Sequence, residues 1–73
     1  MALGFRPPGA AVRDALVKSV TDAQAEVREA AVRSLAAYAA DPKARGAIEG
    51  RLDDGEKAVR EAAEEALRPQ TDG

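Results

Sequence analysis

The segment VREAAVRSL at residues 27–35 decides the fold of this chain, because it returns 32 residues later as VREAAEEAL at residues 59–67. Aligning residues 13–36 with residues 45–68 gives nine identical pairs among 24. Repetition with a period of about 20–50 residues is typical of solenoids and other repeat architectures. The sequence therefore predicts a repeated structural unit of one helix, a tight turn and a second helix.

Apolar side chains recur at spacings of three and four in four stretches, as they do along one face of an α-helix. The four series are Val12, Ala15, Leu16, Val20; Val27, Ala30, Ala31, Ser34, Leu35, Tyr38; Ala44, Ala47, Ile48, Leu52; and Val59, Ala62, Ala63, Ala66, Leu67. No stretch alternates with the period of two that a strand would show. We expect an all-α domain over residues 8–68, with tails at residues 1–7 and 69–73, in which antiparallel helical hairpins stack as a short right-handed solenoid.

The residues between the series carry helix-start signals. Asp41 is a good N-cap acceptor. Pro42 suits the first helical position, because the backbone N–H that proline lacks would have no partner within the helix there. Thr21 with Gln24, and Asp53 with Glu56, have the spacing of a capping box, in which each side chain satisfies a free backbone N–H near the helix start. We therefore expect helices over about residues 9–20, 24–39 and 43–53, and a fourth helix that follows the turn at residues 53–56 and stops before Pro69.

Composition excludes several kinds of function. The 73 residues contain no Cys and no His, so no disulfide, thiolate metal site or histidine general base is available. Eleven basic and 13 acidic residues give a net charge of −2, whereas a nucleic-acid-binding domain is normally basic. No apolar run approaches the length of about 18 residues that a membrane span requires. We expect a cytoplasmic chain with no catalytic residue, cofactor or metal, and with neither nucleic acid nor membrane as a partner.

The pattern V-R-x-A-A-x-x-A-L in both segments resembles the short bacterial HEAT repeats of the phycobilisome-lyase-like subclass, and the resemblance covers about residues 11–68. The chain departs from that pattern at Ala25-Glu26 and Lys57-Ala58, where Asp-Pro is common, and at Ala36 and Arg68, where Gly is common. The resemblance implies an α-solenoid of about two repeats that serves as a protein-interaction scaffold. It also implies that the helices over about residues 9–20 and 43–53 line a concave face where a protein or peptide binds.

The periodicity of those two helices predicts which side chains the concave face presents. With the apolar series turned inward, the candidate partner-binding residues are Arg13, Val17, Lys18, Arg45 and Glu49. The pattern also predicts that the core is filled by Val27, Leu35, Val59 and Leu67, and that Val12, Val17 and Val32 stay partly exposed. We expect Arg28 and Arg60 to fork onto Asp22 and Asp54 or onto the neighbouring turn. Tyr38 is expected to pack in the core, and Glu61, Glu64 and Glu65 to form a solvated patch.

Three questions stay open at the level of sequence. Gly46 and Gly50 indicate either a close approach by another backbone or a weak helix. A structural spacer or docking segment of a larger protein is an alternative function, and an enzyme of the phycobilin-lyase or DNA-glycosylase type is a remote one. Because repeats bury their faces against neighbours, we expect either a homo-oligomer or a part of a longer repeat array.

Overall fold

A computed structural model describes residues 8–68 as four α-helices in succession. The helices are α1 (Pro8–Ser19), α2 (Ala25–Leu35), α3 (Pro42–Glu49) and α4 (Lys57–Leu67), and one 3₁₀ turn, Ala36–Tyr38, extends the end of α2. The described residues form no strand. The prediction of an all-α helical solenoid is confirmed, whereas the predicted tails at residues 1–7 and 69–73 lie outside the described part.

The helix starts confirm one of the three predicted start signals and contradict the other two. Asp41 caps α3, since its side chain accepts the N–H of Lys43 at 2.8 Å and Pro42 takes the first helical position. The predicted capping boxes are wrong. Gln24 and Glu56 occupy the N-cap positions of α2 and α4, neither of their side chains makes a capping hydrogen bond, and the Thr21 hydroxyl donates to the carbonyl oxygen of Lys18 instead.

Helix α2 is the centre of the fold, because it packs against α1 on one side and most extensively against α4 on the other. Burial on two sides explains why Val32 is completely buried, although the sequence predicted partial exposure. Tyr38, Leu67 and Val17 are half-buried against the same core. The buried apolar residues are Val20, Ala31, Val32, Leu35, Ala44, Ile48, Val59, Ala62 and Ala63.

Three large apolar side chains, one on α1, one on α2 and one after α3, are only partly covered. Val12 is 50% exposed, as expected, but Val27 is 37% exposed and does not fill the core as predicted. Helix α3 ends at Glu49, and residues 50–53 form turns in place of the helix predicted to residue 53. Leu52 is therefore out of phase with α3 and 37% exposed, where the apolar series had placed it inside.

Candidate functional site

The main polar cluster lies at the turns between helices and is centred on Asp54, the one buried charged residue in the described part. Its Oδ1 accepts the backbone N–H of Glu56 at 2.9 Å, which closes the turn in the manner of an Asx turn. Asp54 rather than Asp53 therefore organises the start of α4. Sequence spacing alone could not show which of the two aspartates has this role, because both are hydrogen-bond acceptors in the same turn.

Arg28 joins this turn to the equivalent turn one repeat earlier. Its Nε and Nη2 donate to the two carboxylate oxygens of Asp54 at 2.8 and 3.0 Å, a bidentate pair. Its Nη1 donates to the carbonyl oxygens of Asp22 and Ala23 at 2.9 and 3.1 Å. The prediction that Arg28 forks onto the neighbouring turn is confirmed, and one guanidinium cross-links two successive repeats. Within the described part of the chain, Arg60 donates only to the carbonyl oxygen of Asp54 and not to its carboxylate.

The environment of Asp54 determines what its carboxylate can do. Arg51 adds a further hydrogen bond, from its Nη1 to Oδ2 at 3.2 Å. The hydrogen bonds from Arg28 are the main reason that the pKa of Asp54 lies below its ordinary value, and burial opposes this shift. The carboxylate is therefore ionised at neutral pH and holds four hydrogen bonds, which suits a structural brace and not an acid or base.

The same elements recur in the other repeat. Asp22 Oδ1 accepts the N–H of Gln24 at 2.9 Å, as Asp54 does for Glu56. Arg60 Nη1 donates to the carbonyl oxygen of Asp54 at 2.7 Å, as Arg28 does to that of Asp22. Residues that are identical at an offset of 32 therefore also share these two hydrogen bonds.

The residues predicted for partner binding are only partly available on the surface. Arg13 donates to the carboxylates of Asp14 and Asp41, so it ties α1 to the start of α3 and its side chain is 17% exposed. The hydrogen bond from Arg13 is the main reason that the pKa of Asp41 is lowered. Val17 is half-buried against the core. The expectation that Arg13 points freely outward is wrong, because its side chain is held by Asp41 at the start of α3. The half-buried position of Val17 agrees with the partial exposure predicted for it.

The other three predicted residues do lie on the surface. Lys18, Arg45 and Glu49 are exposed, and Arg45 Nε lies 3.4 Å from Glu49 Oε2 in a pair spaced by four residues. A Cβ placed on Gly46, between these two residues, would meet no atom within 4 Å. A Cβ on Gly50 would meet only the carbonyl oxygens of Gly46 and Ala47, at 3.6 Å. Among the described residues, no neighbouring helix therefore comes close to either glycine, and α3 ends at Glu49.

The surface grooves are open and shallow. The groove of about 470 Å³ at the turns is lined by side chains that already bond to one another, among them Arg28, Arg51 and Asp54. A smaller groove of about 210 Å³ runs beside the 3₁₀ turn. Its lining residues are Ala36, Ala39, Ala40, Arg45, Ala66, Leu67 and Arg68. Sites for small molecules usually enclose most of the ligand surface, and these open grooves do not provide such an enclosure.

Helices that repeat every 32 residues and are cross-linked in register by an arginine–aspartate pair define an α-solenoid. A family model described as HEAT repeats matches residues 1–68, and the chain belongs to this family. No curated protein sequence and no solved structure matches the chain at a significant level. Among the described residues, no helix has both the length and the apolar character to cross a membrane.

Proposed function

We propose that this chain is a non-catalytic scaffold that binds a protein or peptide along the side formed by α1 and α3. HEAT repeats generally mediate protein–protein interaction, and the family match covers nearly the whole chain. The V-R-x-A-A segments support the finer assignment to the short bacterial repeats of the phycobilisome-lyase-like subclass. The lack of cysteine is compatible with a cytoplasmic location, since folding requires no disulfide.

The observation that carries this proposal is the set of long charged side chains left exposed on α1 and α3. Lys18 and Arg45 are exposed cations, and Glu49 adds an acceptor one turn after Arg45. Arg13 contributes indirectly, because its ion pair with Asp41 fixes α1 relative to α3. A partner with carboxylates spaced to reach both cations matches this surface, and charge complementarity would orient it.

The chemistry of the Asp54 cluster argues against catalysis. A general acid or base needs a pKa near the working pH and room for a substrate beside it. Asp54, the most buried carboxylate of the described residues, has a lowered pKa and is surrounded by Arg28, Arg51 and the N–H of Glu56. Its role is accounted for by the turn that it holds together.

The test uses peptides selected from a displayed random library against the wild-type chain. Lys18→Glu combined with Arg45→Glu should weaken their binding by about 1–3 kcal/mol, as the loss of charge-assisted contacts at an interface does. Glu64→Lys serves as a control, because it reverses an exposed charge on α4, outside the proposed surface, and it should have little effect on peptide binding. Arg13 is left intact, because its reversal would break the pair with Asp41 and disturb the fold.

Circular dichroism should show unchanged helicity in all of these variants. Binding that is lost in Glu64→Lys and kept in the α1/α3 variant would contradict the assigned face. Binding that is unaffected by either change would favour the alternative function of a structural spacer.

A further inference from the structure

The repeat pattern leaves one half of the arginine–aspartate pair at each end of the stack. Within the chain, Arg28 binds Asp54, 26 residues later. Arg60 lies 32 residues after Arg28, and Asp22 lies 32 residues before Asp54. Among residues 8–68, Arg60 has no carboxylate partner and Asp22 has no arginine bound to its carboxylate.

Both end groups are already held in the orientation of the internal pair. The Nη1 of Arg60 is fixed on the carbonyl oxygen of Asp54 at 2.7 Å, which leaves its Nε and Nη2 as the two donors that Arg28 uses on Asp54. Asp22 is fixed by the N–H of Gln24 at 2.9 Å, as Asp54 is fixed by Glu56. The chain thus carries a preorganised donor at one end and a preorganised acceptor at the other.

The helix surfaces beside these groups match in the same way. On α4, Val59, Ala62 and Ala63 are buried in the core. The equivalent residues of α2 are the identical Val27, Ala30 and Ala31. Of these, Val27 is 37% exposed and Ala30 is exposed, so α2 carries the apolar face that α4 uses for packing and leaves part of it open.

We propose that a second copy of this chain docks head to tail, so that Arg60 of one copy binds Asp22 of the next. In this register, α1 of the next copy stands beside α4 as α3 stands beside α2, because α1 and α3 are equivalent helices of the repeat. The contact goes beyond the proposed partner surface, since it uses the ends of the stack and not the exposed charges of α1 and α3.

A second charge match supports this register. Arg33 and Glu65 occupy equivalent positions of successive repeats, and Arg33 Nη1 lies 3.2 Å from Glu65 Oε1. Continuing the stack by one copy brings Glu65 opposite Arg33 of the next copy. Two pairs of opposite charge therefore coincide when the copies meet head to tail, whereas a head-to-head contact would place like ends together.

One residue limits the strength of this contact. Val32 is completely buried, but its equivalent on α4 is Glu64, which is exposed. Placing a carboxylate where the internal repeat has a valine weakens the association, because the charge must lose water. The contact is heterologous and generates an open series of copies unless the rotation closes a ring. The proposed self-association is therefore weak and depends on concentration.

The experiment is sedimentation velocity of the 73-residue chain at concentrations up to about 1 mM, where weak specific contacts are populated. The wild-type mass should rise with concentration past two chains. Arg60→Glu and Asp22→Arg should each remain monomeric, because each brings like charges together. Their equimolar mixture should associate again, because the glutamate introduced in one variant then meets the arginine introduced in the other, and the unchanged Arg60 and Asp22 also match.

Three further variants distinguish a loss of association from a loss of folding. Asp22→Asn keeps the oxygen that closes the turn and should still weaken association. Glu64→Val should strengthen association by about tenfold or more, since it restores the internal residue type. Lys43→Glu makes the same charge change as Arg60→Glu on an exposed residue of α3 and should behave as wild type. Circular dichroism should show all of these chains folded.

A wild-type chain that stays monomeric over the whole range would overturn the proposal. So would a mass that stops at two chains, which indicates a closed head-to-head dimer, or a mixture of Arg60→Glu and Asp22→Arg that fails to associate.

Discussion

Replacing Asp54 by asparagine tests the brace on which the stacking of the repeats depends. Asparagine keeps one acceptor oxygen, so the bonds from the Glu56 N–H and Arg28 Nη2 can persist. The other oxygen becomes an NH₂ group that faces the donors Arg28 Nε and Arg51 Nη1, now 2.8 and 3.2 Å away. The change therefore removes two charge-assisted hydrogen bonds. It also leaves the N–H groups of Arg28 Nε and Arg51 Nη1 facing another donor group.

The expected loss of stability is about 2–3 kcal/mol. A hydrogen bond to a charged group contributes about 1.5–3 kcal/mol, and the sum is discounted because the Arg51 side chain is 26% exposed and can turn to water. A chain of this length has a total stability of about 4–11 kcal/mol. We expect a cooperative unfolding transition that is retained but lowered by roughly 10–20 °C.

The measurement is urea and thermal unfolding followed by circular dichroism, since the chain has no tryptophan. Asp53→Asn is the matched control, because Asp53 is exposed and precedes Asp54 directly. Its effect should stay within about 0.5 kcal/mol. An equal loss in the two variants, or no loss in Asp54→Asn, would refute the assignment of Asp54 as the brace.

The pH dependence gives a second readout of the same carboxylate. The pKa of Asp54 is lowered in the folded chain, so ionised Asp54 contributes its full stabilisation above the unfolded pKa of about 3.9. That contribution is lost as the pH falls through the lowered pKa of the folded chain. The difference between wild type and Asp54→Asn should be constant from about pH 5 to pH 7 and shrink below about pH 4.

Two further substitutions test the account of α3. Gly46→Ala should raise the free energy of unfolding by about 0.5–1 kcal/mol, because a Cβ at this helical position meets no atom and alanine is the better helix former; a lowered thermal midpoint would show that another backbone does approach there. Ile48→Val should lower the free energy of unfolding by about 0.5–1.5 kcal/mol, since Ile48 is completely buried. Leu52→Val removes the same amount of side chain from a partly exposed position, and urea titration should show a clearly smaller loss.

Much of this protein is determined locally and could be predicted from the sequence. The offset of 32 residues between equivalent positions, the four helices and the start of α3 at Asp41-Pro42 depend on helical periodicity and on hydrogen bonds between near neighbours. Because these effects act within a few residues, the order of residues is enough to specify them. The fork of Arg28 could also be predicted, because the arginine and the two aspartates recur with the repeat.

Tertiary packing decided which of several equivalent residues carries each role. Val27 and Val32 lie on the same helix and have the same side chain, but only Val32 is enclosed between the neighbours of α2. Arg13 and Arg45 are equivalent in the repeat, yet Arg13 is drawn into a pair with Asp41 while Arg45 stays exposed. Likewise Asp54, and not Asp53, accepts Arg28. Burial and ion pairing depend on which residues of other helices the fold brings close to a side chain. The periodicity of a single helix carries no information about those residues.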